Sequence, residues 1–324
     1  MSIPTFHEIK TRGYLPPKQL RRLLFFGSLA LGRVFITNMK DIKKLSKTAQ
    51  TQKKYHRPPR RYNIPTYDKS MQFCKKDKQY LRPTLYCNSY RPEIIALAHQ
   101  LGAYQKSDRE FAEAAFEFAK RKLTLEMLPL DNVKNTLQRG TGTCLHKLSV
   151  FVALCRAAGI KARYKLYSMT MIDAWSETFS DPMVQKWSDA MGYFMIHGEG
   201  EAYIDGEWMV GDVGPTPERQ AATNIPITRF GEDSIGVWFS VVPGTIMQVE
   251  SIPFGLNLMM KMVYKVAPVT VDNVNANVLA QIEKGKKILK EKGEKAYDAE
   301  IRKTFKPKFP EPVLKKRHEI IFEK

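Results

Sequence analysis

The sequence predicts a mixed fold in which helices come first and antiparallel strands follow. Apolar residues recur at helical spacing through residues 92–119 and again behind Cys144, whereas residues 160–169 alternate like a strand. Residues 199–212, EGEAYIDGEWMVGD, place an Asp-Gly dipeptide between two alternating runs, which is the pattern of a two-residue β-hairpin. We therefore expect a helical region followed by antiparallel strands.

The first two helices are delimited by residues typical of helix ends. Pro92 suits the first position of a helix, and Gly102 suits its end. Ser107 followed by Glu110 forms a capping box, which predicts the start of the second helix. The apolar stripe of the second helix is expected to consist of Phe111, Ala114, Ala115, Phe118 and Ala119.

The later elements follow from similar patterns. The helix behind Cys144 is largely apolar and should end at Gly159. Short strands are expected between Ile235 and Ile252. A charged helix is predicted near residues 276–303, ahead of a Pro-rich, basic tail.

Charge divides the chain into three parts. Residues 1–91 carry 21 Lys and Arg against 4 Asp and Glu, residues 92–282 carry 17 against 21, and residues 283–324 carry 14 against 8. A slightly acidic middle thus lies between two basic arms. We expect a basic N-terminal extension with a short apolar helix over residues 1–90, a core over 91–252, and a helical, basic extension over 253–324.

The N-terminal arm suggests an anionic partner. Residues 20–36, LRRLLFFGSLALGRVFI, are too short to span a bilayer and contain Arg33, so they predict a helix that packs on the core or lies in a membrane interface. A cleaved signal is less favoured because no small-residue cleavage site follows. Nucleic acid is a weaker alternative, since no zinc-finger or RNP-like motif is present. The Lys-, Arg- and Pro-rich residues 40–92 predict an extended segment.

The four cysteines exclude two common roles. They are too few and too scattered for a disulfide scaffold, and no CxxC pair indicates a zinc site. We therefore expect a cytoplasmic protein, peripheral to the membrane if the arm binds lipid, with neither metal nor cofactor.

Cys144 is the candidate nucleophile. It follows the glycine-rich turn RGTGT and opens an apolar helix, where free N–H groups and the helix dipole stabilise an anion. Gly140 and Gly142 would let a substrate approach the backbone. Cys155 is expected in the core, whereas Cys74 and Cys87 lie in the basic arm without a neighbouring base.

His197 is the candidate base. His146 is only two residues from Cys144, and residues two apart on a helix point in different directions. A two-residue turn at 205 and 206 pairs 204 with 207, which makes His197 a diagonal neighbour of Asp212 on one face of the hairpin. Glu199 lies opposite Asp212 and is a rival partner for the histidine.

Residues 139–164 and 197–212 together resemble the transglutaminase-like superfamily. GTGTCLHKLSVFVALCRAAGIKARY is similar to the cysteine helix of that family and the strand after it, and HGEGEAYIDGEWMVGD is similar to its histidine and aspartate strands, with Trp208 at the family's tryptophan position. Glu199 stands where the family usually has an aromatic residue, and Val213 where it usually has proline.

The resemblance implies an α+β, papain-like core with Cys144 as nucleophile, His197 as base and Asp212 as the residue that orients it. The neighbours expected around substrate and oxyanion are Gly142, Thr143, Glu199 and Trp208. Such a triad performs acyl transfer on amide bonds of a protein or peptide. Hydrolysis is favoured over crosslinking because water is always available. The alternative is an inactive binding module that its arms recruit to an anionic partner.

Overall fold

The computed structural model describes residues 6–12, 14–49, 55–170, 177–191, 195–237, 240–242 and 244–306. Its helices are α1 (Phe6–Thr11), α2 (Lys18–Thr37), α3 (Met39–Ala49), α4 (Pro92–Leu101), α5 (Asp108–Lys122), α6 (Val133–Arg139), α7 (Cys144–Ala157), α8 (Pro182–Met191), α9 (Pro217–Ala222), α10 (Phe254–Val266), α11 (Pro268–Lys292) and α12 (Glu294–Thr304). Its strands are β1 (Thr124–Leu125), β2 (Thr141–Gly142), β3 (Ala162–Thr170), β4 (Met195–Ile204), β5 (Glu207–Gly211), β6 (Ser240–Val241) and β7 (Met247–Val249). The predicted C-terminal tail beyond residue 306 lies outside the described residues.

The main sheet is antiparallel and has the order β5-β4-β3-β6, with β7 also paired to β3. The predicted hairpin is confirmed: Ile204 pairs with Glu207, and the register runs on to Gly200 opposite Gly211. Asp205 has φ 51° and the glycine after it φ 90°, as the tight turn requires. The expected combination of helices and an antiparallel sheet is therefore confirmed.

The central helix of the core is α7. Its residues from Leu145 to Ala157 are all buried, and the helix packs against β4, α5 and α4. Gly200 permits the close approach of helix and strand, because a Cβ there would lie 2.4 Å from Cδ1 of Phe151. A helix buried on every side holds its first residue, Cys144, in a fixed position.

The predicted ends of α4 and the predicted start of α5 are confirmed. Pro92 is the first residue of α4, and Gly102 ends that helix with φ 98°. Ser107 caps α5 through the complete capping box with Glu110. Ala114 of the predicted α5 stripe is only half-buried, whereas Phe116 on the neighbouring face is fully buried.

Two expectations about the arms need correction. The extended segment expected from residue 40 begins with the helix α3, since residues 39–49 contain neither Pro nor Gly and Ile42 packs on an apolar cluster of α2 and α10. The helix expected over 276–303 is two helices separated at Gly293, whose φ of 76° interrupts the helical path. Residues 55–91 contain neither helix nor strand, as expected.

Both arms pack on the middle of the chain. Leu20 and Leu23 of α2 belong to the same apolar cluster as α7. Arg82 forms an ion pair with Glu250, with 2.8 Å between Nη2 and Oε2. The predicted boundaries at residues 90 and 252 state that the core between them folds independently of the two extensions. These boundaries stay a prediction. Among the described helices, none has the length and apolarity that crossing a bilayer requires.

Candidate active site

Cys144 lies in the first turn of α7 because Thr143 caps the helix. The Thr143 hydroxyl accepts a hydrogen bond from the backbone N–H of His146 at 3.4 Å, and its carbonyl accepts one from Lys147 N at 3.1 Å. The N–H groups of Cys144 and Leu145 precede this first intrahelical bond, so they are available to an oxyanion. The half-buried thiol faces an apolar cavity.

His197 and Asp212 converge on Cys144. Nε2 of His197 lies 3.4 Å from each carboxylate oxygen of Asp212, and the thiol of Cys144 forms a side-chain hydrogen bond with the same ring. A Cβ on Gly214 would lie 2.9 Å from Asp212 Oδ1, 2.9 Å from His197 Cε1 and 3.5 Å from Cys144 Cβ. All three side chains therefore surround one glycine.

The electrostatics of this group favour a charged histidine. Burial alone would lower the pKa of His197, but the attraction of Asp212 and Cys144 outweighs it and raises the pKa to about 10. Burial would likewise raise the pKa of Asp212, yet the charge of His197 holds that pKa below its usual value. An imidazolium beside the Asp212 carboxylate is consistent with both directions.

Two buried lysines support the segment that carries Asp212. Lys120 donates to Thr228 Oγ1 at 3.0 Å and to the Asp212 carbonyl at 3.4 Å. Lys147 donates to the Gly214 carbonyl at 3.0 Å. Burial lowers the pKa of Lys120 to about 8 and that of Lys147 well below its usual value. Sequence reasoning missed both lysines, although Lys147 lies three residues after Cys144 on a helix that is otherwise mostly apolar.

A buried arginine lies near the same group. Arg219 of α9 donates to Thr178 Oγ1 at 3.2 Å and to Gln281 Oε1 at 3.3 Å. Burial lowers the pKa of Arg219 to about 9, while the negative charge of Asp212 acts in the opposite direction. No local pattern in the sequence indicates this position, because its partners come from distant parts of the chain.

The rival Glu199 has other partners. Its carboxylate lies 2.9 Å from Lys165 Nζ and accepts a hydrogen bond from Ser234 N at 2.8 Å. Burial, followed by the charge of Asp212, raises the pKa of Glu199. The aspartate, rather than the glutamate, therefore contacts the ring of His197.

Neither Trp208 nor Gly142 is among the described residues that line the cavity beside Cys144. Trp208 is near the hairpin turn, where the guanidinium of Arg163 stacks on its ring at 3.9 Å. Gly142 leaves room for His146, since a Cβ there would lie 2.5 Å from His146 Cβ. Thr143, by contrast, lines the cavity beside Cys144.

The remaining histidine and cysteines near the core have structural surroundings. His146 is buried against Thr143 and Asp131, and its pKa is lowered mainly by burial. Cys155 is fully buried, as expected, and burial raises its pKa. Cys87 is also buried, and burial raises its pKa as well.

The cavity in front of Cys144 has a volume of about 140 Å³. Thr143, Cys144, His197 and Gly214 form one side of its wall. The rest is almost entirely apolar and comes from the 125–130 segment, β3, β4, α2, α8, α10 and α11. This arrangement places the Cys144 thiol and the His197 ring beside an apolar space.

The comparison with protein families is consistent with this geometry. Residues 95–213 match the model of the transglutaminase-like superfamily. Comparison with curated proteins finds no match. A crystal structure of a candidate cysteine protease from Cytophaga hutchinsonii is 20% identical, with a TM-score of 0.33 over 42% of this chain and 40% of that one. The part of the chain that resembles this superfamily, which we call the transglutaminase-like core, therefore contains Cys144, His197 and Asp212.

Proposed function

We propose that the protein is a cysteine-dependent acyl-transfer enzyme with Cys144 as nucleophile, His197 as acid and base, and Asp212 as the residue that orients the histidine. The convergence of these three side chains around Gly214, at the start of a buried helix, supports the proposal. Membership of the core in the transglutaminase-like superfamily also supports a cysteine-based enzyme.

The reaction would begin when the Cys144 thiolate attacks the acyl carbonyl carbon. The new S–C bond moves an electron pair onto oxygen, and the N–H groups of Cys144 and Leu145 stabilise that oxyanion. The C–N bond then breaks, and His197 gives its proton to the departing amine. Water attacks the thioester, His197 takes the proton, and the acid and free thiol are released.

Hydrolysis is the proposed outcome, with a protein or peptide as the first substrate class to test. Water needs no binding site of its own, whereas crosslinking needs a second site for an amine. The alternative is an inactive binding module with the same fold. In that module Cys144 would react no faster than an ordinary thiol of similar exposure.

Alkylation by iodoacetamide tests the proposal directly. At about pH 6, where ordinary thiols are mostly protonated, we expect Cys144 to be alkylated at least about tenfold faster than Cys74, Cys87 or Cys155. Peptide mass spectrometry would measure the four rates in one sample. The His197→Gln variant should lose the advantage of Cys144. Equal rates at Cys144 and the half-buried Cys74 would refute the proposal.

A second candidate function is peripheral association with an anionic membrane. The outer face of α2 carries three strongly exposed apolar side chains: Phe25 is 61%, Leu29 57% and Ile36 74% exposed. These positions recur at spacings of four and seven residues, so they share one face of the helix. Phe26 is partly buried against the main core and does not belong to this face.

Basic residues share the exposed face of α2. Lys18, Arg21 and Arg33 are exposed at matching helical positions, and the helix contains no acidic residue. Each basic residue near anionic lipid contributes on the order of 1 kcal/mol. We therefore expect co-sedimentation with vesicles that contain phosphatidylserine, and weaker binding at high salt.

Substitutions on α2 separate lipid binding from nonspecific charge effects. The double substitution Phe25→Ser and Leu29→Ser should reduce vesicle binding, because it removes apolar contact while keeping every charge. Ile246→Ser, at an exposed apolar residue outside α2, is the matched control. Unchanged binding by the α2 variant, or no binding by the unsubstituted protein, would reject the membrane interpretation.

A further inference from the structure

We propose that the cavity beside Cys144 binds an extended apolar acyl chain, so that the acyl donor is a long-chain acyl amide, ester or thioester. This inference rests on the proposed acyl transfer and adds a class of substrate to it.

Among the described residues that line the cavity, none apart from His197 has a charged side chain. Its polar groups beside the thiol are Thr143 and His197, where the carbonyl of a substrate must lie to react. Trp187, Tyr264 and Thr270 are the other polar members of the described wall. A ligand that fits this wall therefore has one polar, reactive end and an apolar body.

A peptide chain fits such a wall poorly. Each peptide residue brings an N–H and a C=O, and a buried polar group without a partner costs about 1–3 kcal/mol, or roughly five- to 150-fold in affinity. A hydrocarbon chain brings no such groups. The volume of about 140 Å³ is roughly ten times the ~10–15 Å³ that one water needs, so there is room for several methylenes.

Methionine is frequent in the wall. Met127, Met169, Met183, Met259 and Met260 all line the cavity. Methionine side chains are unbranched and flexible, so they adapt to apolar ligands of different length. The wall can therefore adapt to acyl chains of different length and conformation.

Much of the wall comes from outside the transglutaminase-like core. Leu31 and Phe35 belong to α2, Met260 and Val263 to α10, and Val271 to α11, whereas the family match ends at residue 213. The two arms therefore close an apolar chamber over the thiol. Tyr264 lines the chamber and is 41% exposed, which places it at the mouth.

The chemistry is the proposed reaction with a defined acyl group. The Cys144 thiolate attacks the carbonyl carbon at the head of the chain, and the bond to nitrogen, oxygen or sulfur breaks. The leaving group takes the bonding electron pair and, where it is basic, the proton of His197. Water then cleaves the thioester, which gives the fatty acid and restores the thiol.

A series of p-nitrophenyl esters from acetyl to dodecanoyl tests the chain preference. Each buried methylene contributes about fourfold in binding. We therefore expect kcat/KM to rise at least about 30-fold from acetyl to octanoyl, and the Cys144→Ala variant to abolish the enzymatic release of p-nitrophenol. Cys144-dependent turnover that is independent of chain length would overturn the inference and leave the acyl-transfer proposal intact.

Narrowing the cavity should remove the preference without removing the chemistry. Val263→Trp fills the chamber from α10, so octanoyl turnover should fall at least about tenfold and acetyl turnover by much less. Leu258→Trp is the matched control, because Leu258 lies on the same helix, is 71% exposed and does not line the cavity. Equal losses for both esters, or for both variants, would count against a chain-binding chamber.

Binding of laurate keeps the inference testable without turnover. The Cys144→Ala protein should bind laurate in calorimetry, and adding Val263→Trp should weaken binding at least about tenfold, since the chain loses its space. Binding with this loss, but no Cys144-dependent turnover, would support the chamber and refute the acyl transfer. Failure to bind laurate, together with turnover of N-acetyl-leucine p-nitroanilide in preference to octanoyl ester, would assign the cavity to a peptide side chain instead.

Discussion

Replacing Gly214 with alanine should impair the proposed active site without replacing Cys144, His197 or Asp212. The added Cβ would lie 2.9 Å from both Asp212 Oδ1 and His197 Cε1, where ordinary contacts begin at 3.4 Å. The backbone of Gly214 cannot easily retreat, because its N–H donates to Asp212 Oδ1 at 2.8 Å and its carbonyl accepts from Lys147 at 3.0 Å. The histidine and aspartate must therefore move apart by about 0.5 Å.

The size of the effect follows from that displacement. A misplacement of about 1 Å costs roughly 10²-fold in rate, so a shift of half that size should cost at least about tenfold in kcat/KM. Overpacking of this kind also lowers the free energy of unfolding by about 1–3 kcal/mol. Release of p-nitrophenol would measure the first quantity, and urea unfolding the second.

Gly32→Ala is the matched control for this prediction. Gly32 is in α2, and a Cβ there would have no atom within 4 Å. Alanine in a helix stabilises it by about 0.5–1 kcal/mol relative to glycine, so this variant should be fully active and slightly more stable. A folded Gly214→Ala protein with activity within twofold of the unsubstituted one would refute the geometric reasoning.

Three further predictions concern the charges around the site. Asp212→Asn should lower kcat/KM on the order of 10³–10⁴-fold. An amide can hold the wrong tautomer of His197, and it leaves the charge of the imidazolium uncompensated. Retention of more than a tenth of the activity would contradict this prediction. Amide turnover should fall as the pH rises through about 10, because His197 is then deprotonated and can no longer give a proton to the departing amine. An NMR titration that places the pKa of the His197 ring near 6.5 would contradict this prediction. Lys147→Met should cost about 1–3 kcal/mol in urea unfolding because two buried carbonyls lose their donor, whereas the exposed Lys287→Met should cost almost nothing.

Local patterns in the sequence determined the parts of the site that lie close along the chain. Capping residues set where α7 begins, so Cys144 occupies a first helical turn regardless of what packs around it. The Asp-Gly turn set the register of β4 and β5, and a register once started continues along both strands. The paired register ends with Gly200 opposite Gly211, so it brings Asp212, the next residue, to the same end of the hairpin as His197.

Tertiary packing decided everything that depends on distant segments. Glu199 was a rival of Asp212 as the partner of His197, and it is the contacts with Lys165 and Ser234 that occupy the glutamate. Helix α3 lies in a segment whose composition favours an extended chain. It is helical because Ile42 packs against an apolar cluster.

The apolar cavity is the clearest result of tertiary structure. Its wall joins residues from α2, near the start of the chain, to residues from α10 and α11, more than 200 positions later. The periodicity of apolar residues does not predict this contact, because the hydrophobic effect is non-directional and does not specify which distant segment covers an apolar face. The sequence by itself determined that His197 and Asp212 lie on paired strands and that Cys144 begins a helix. Only the packing of both arms determined the apolar cavity that the thiol faces.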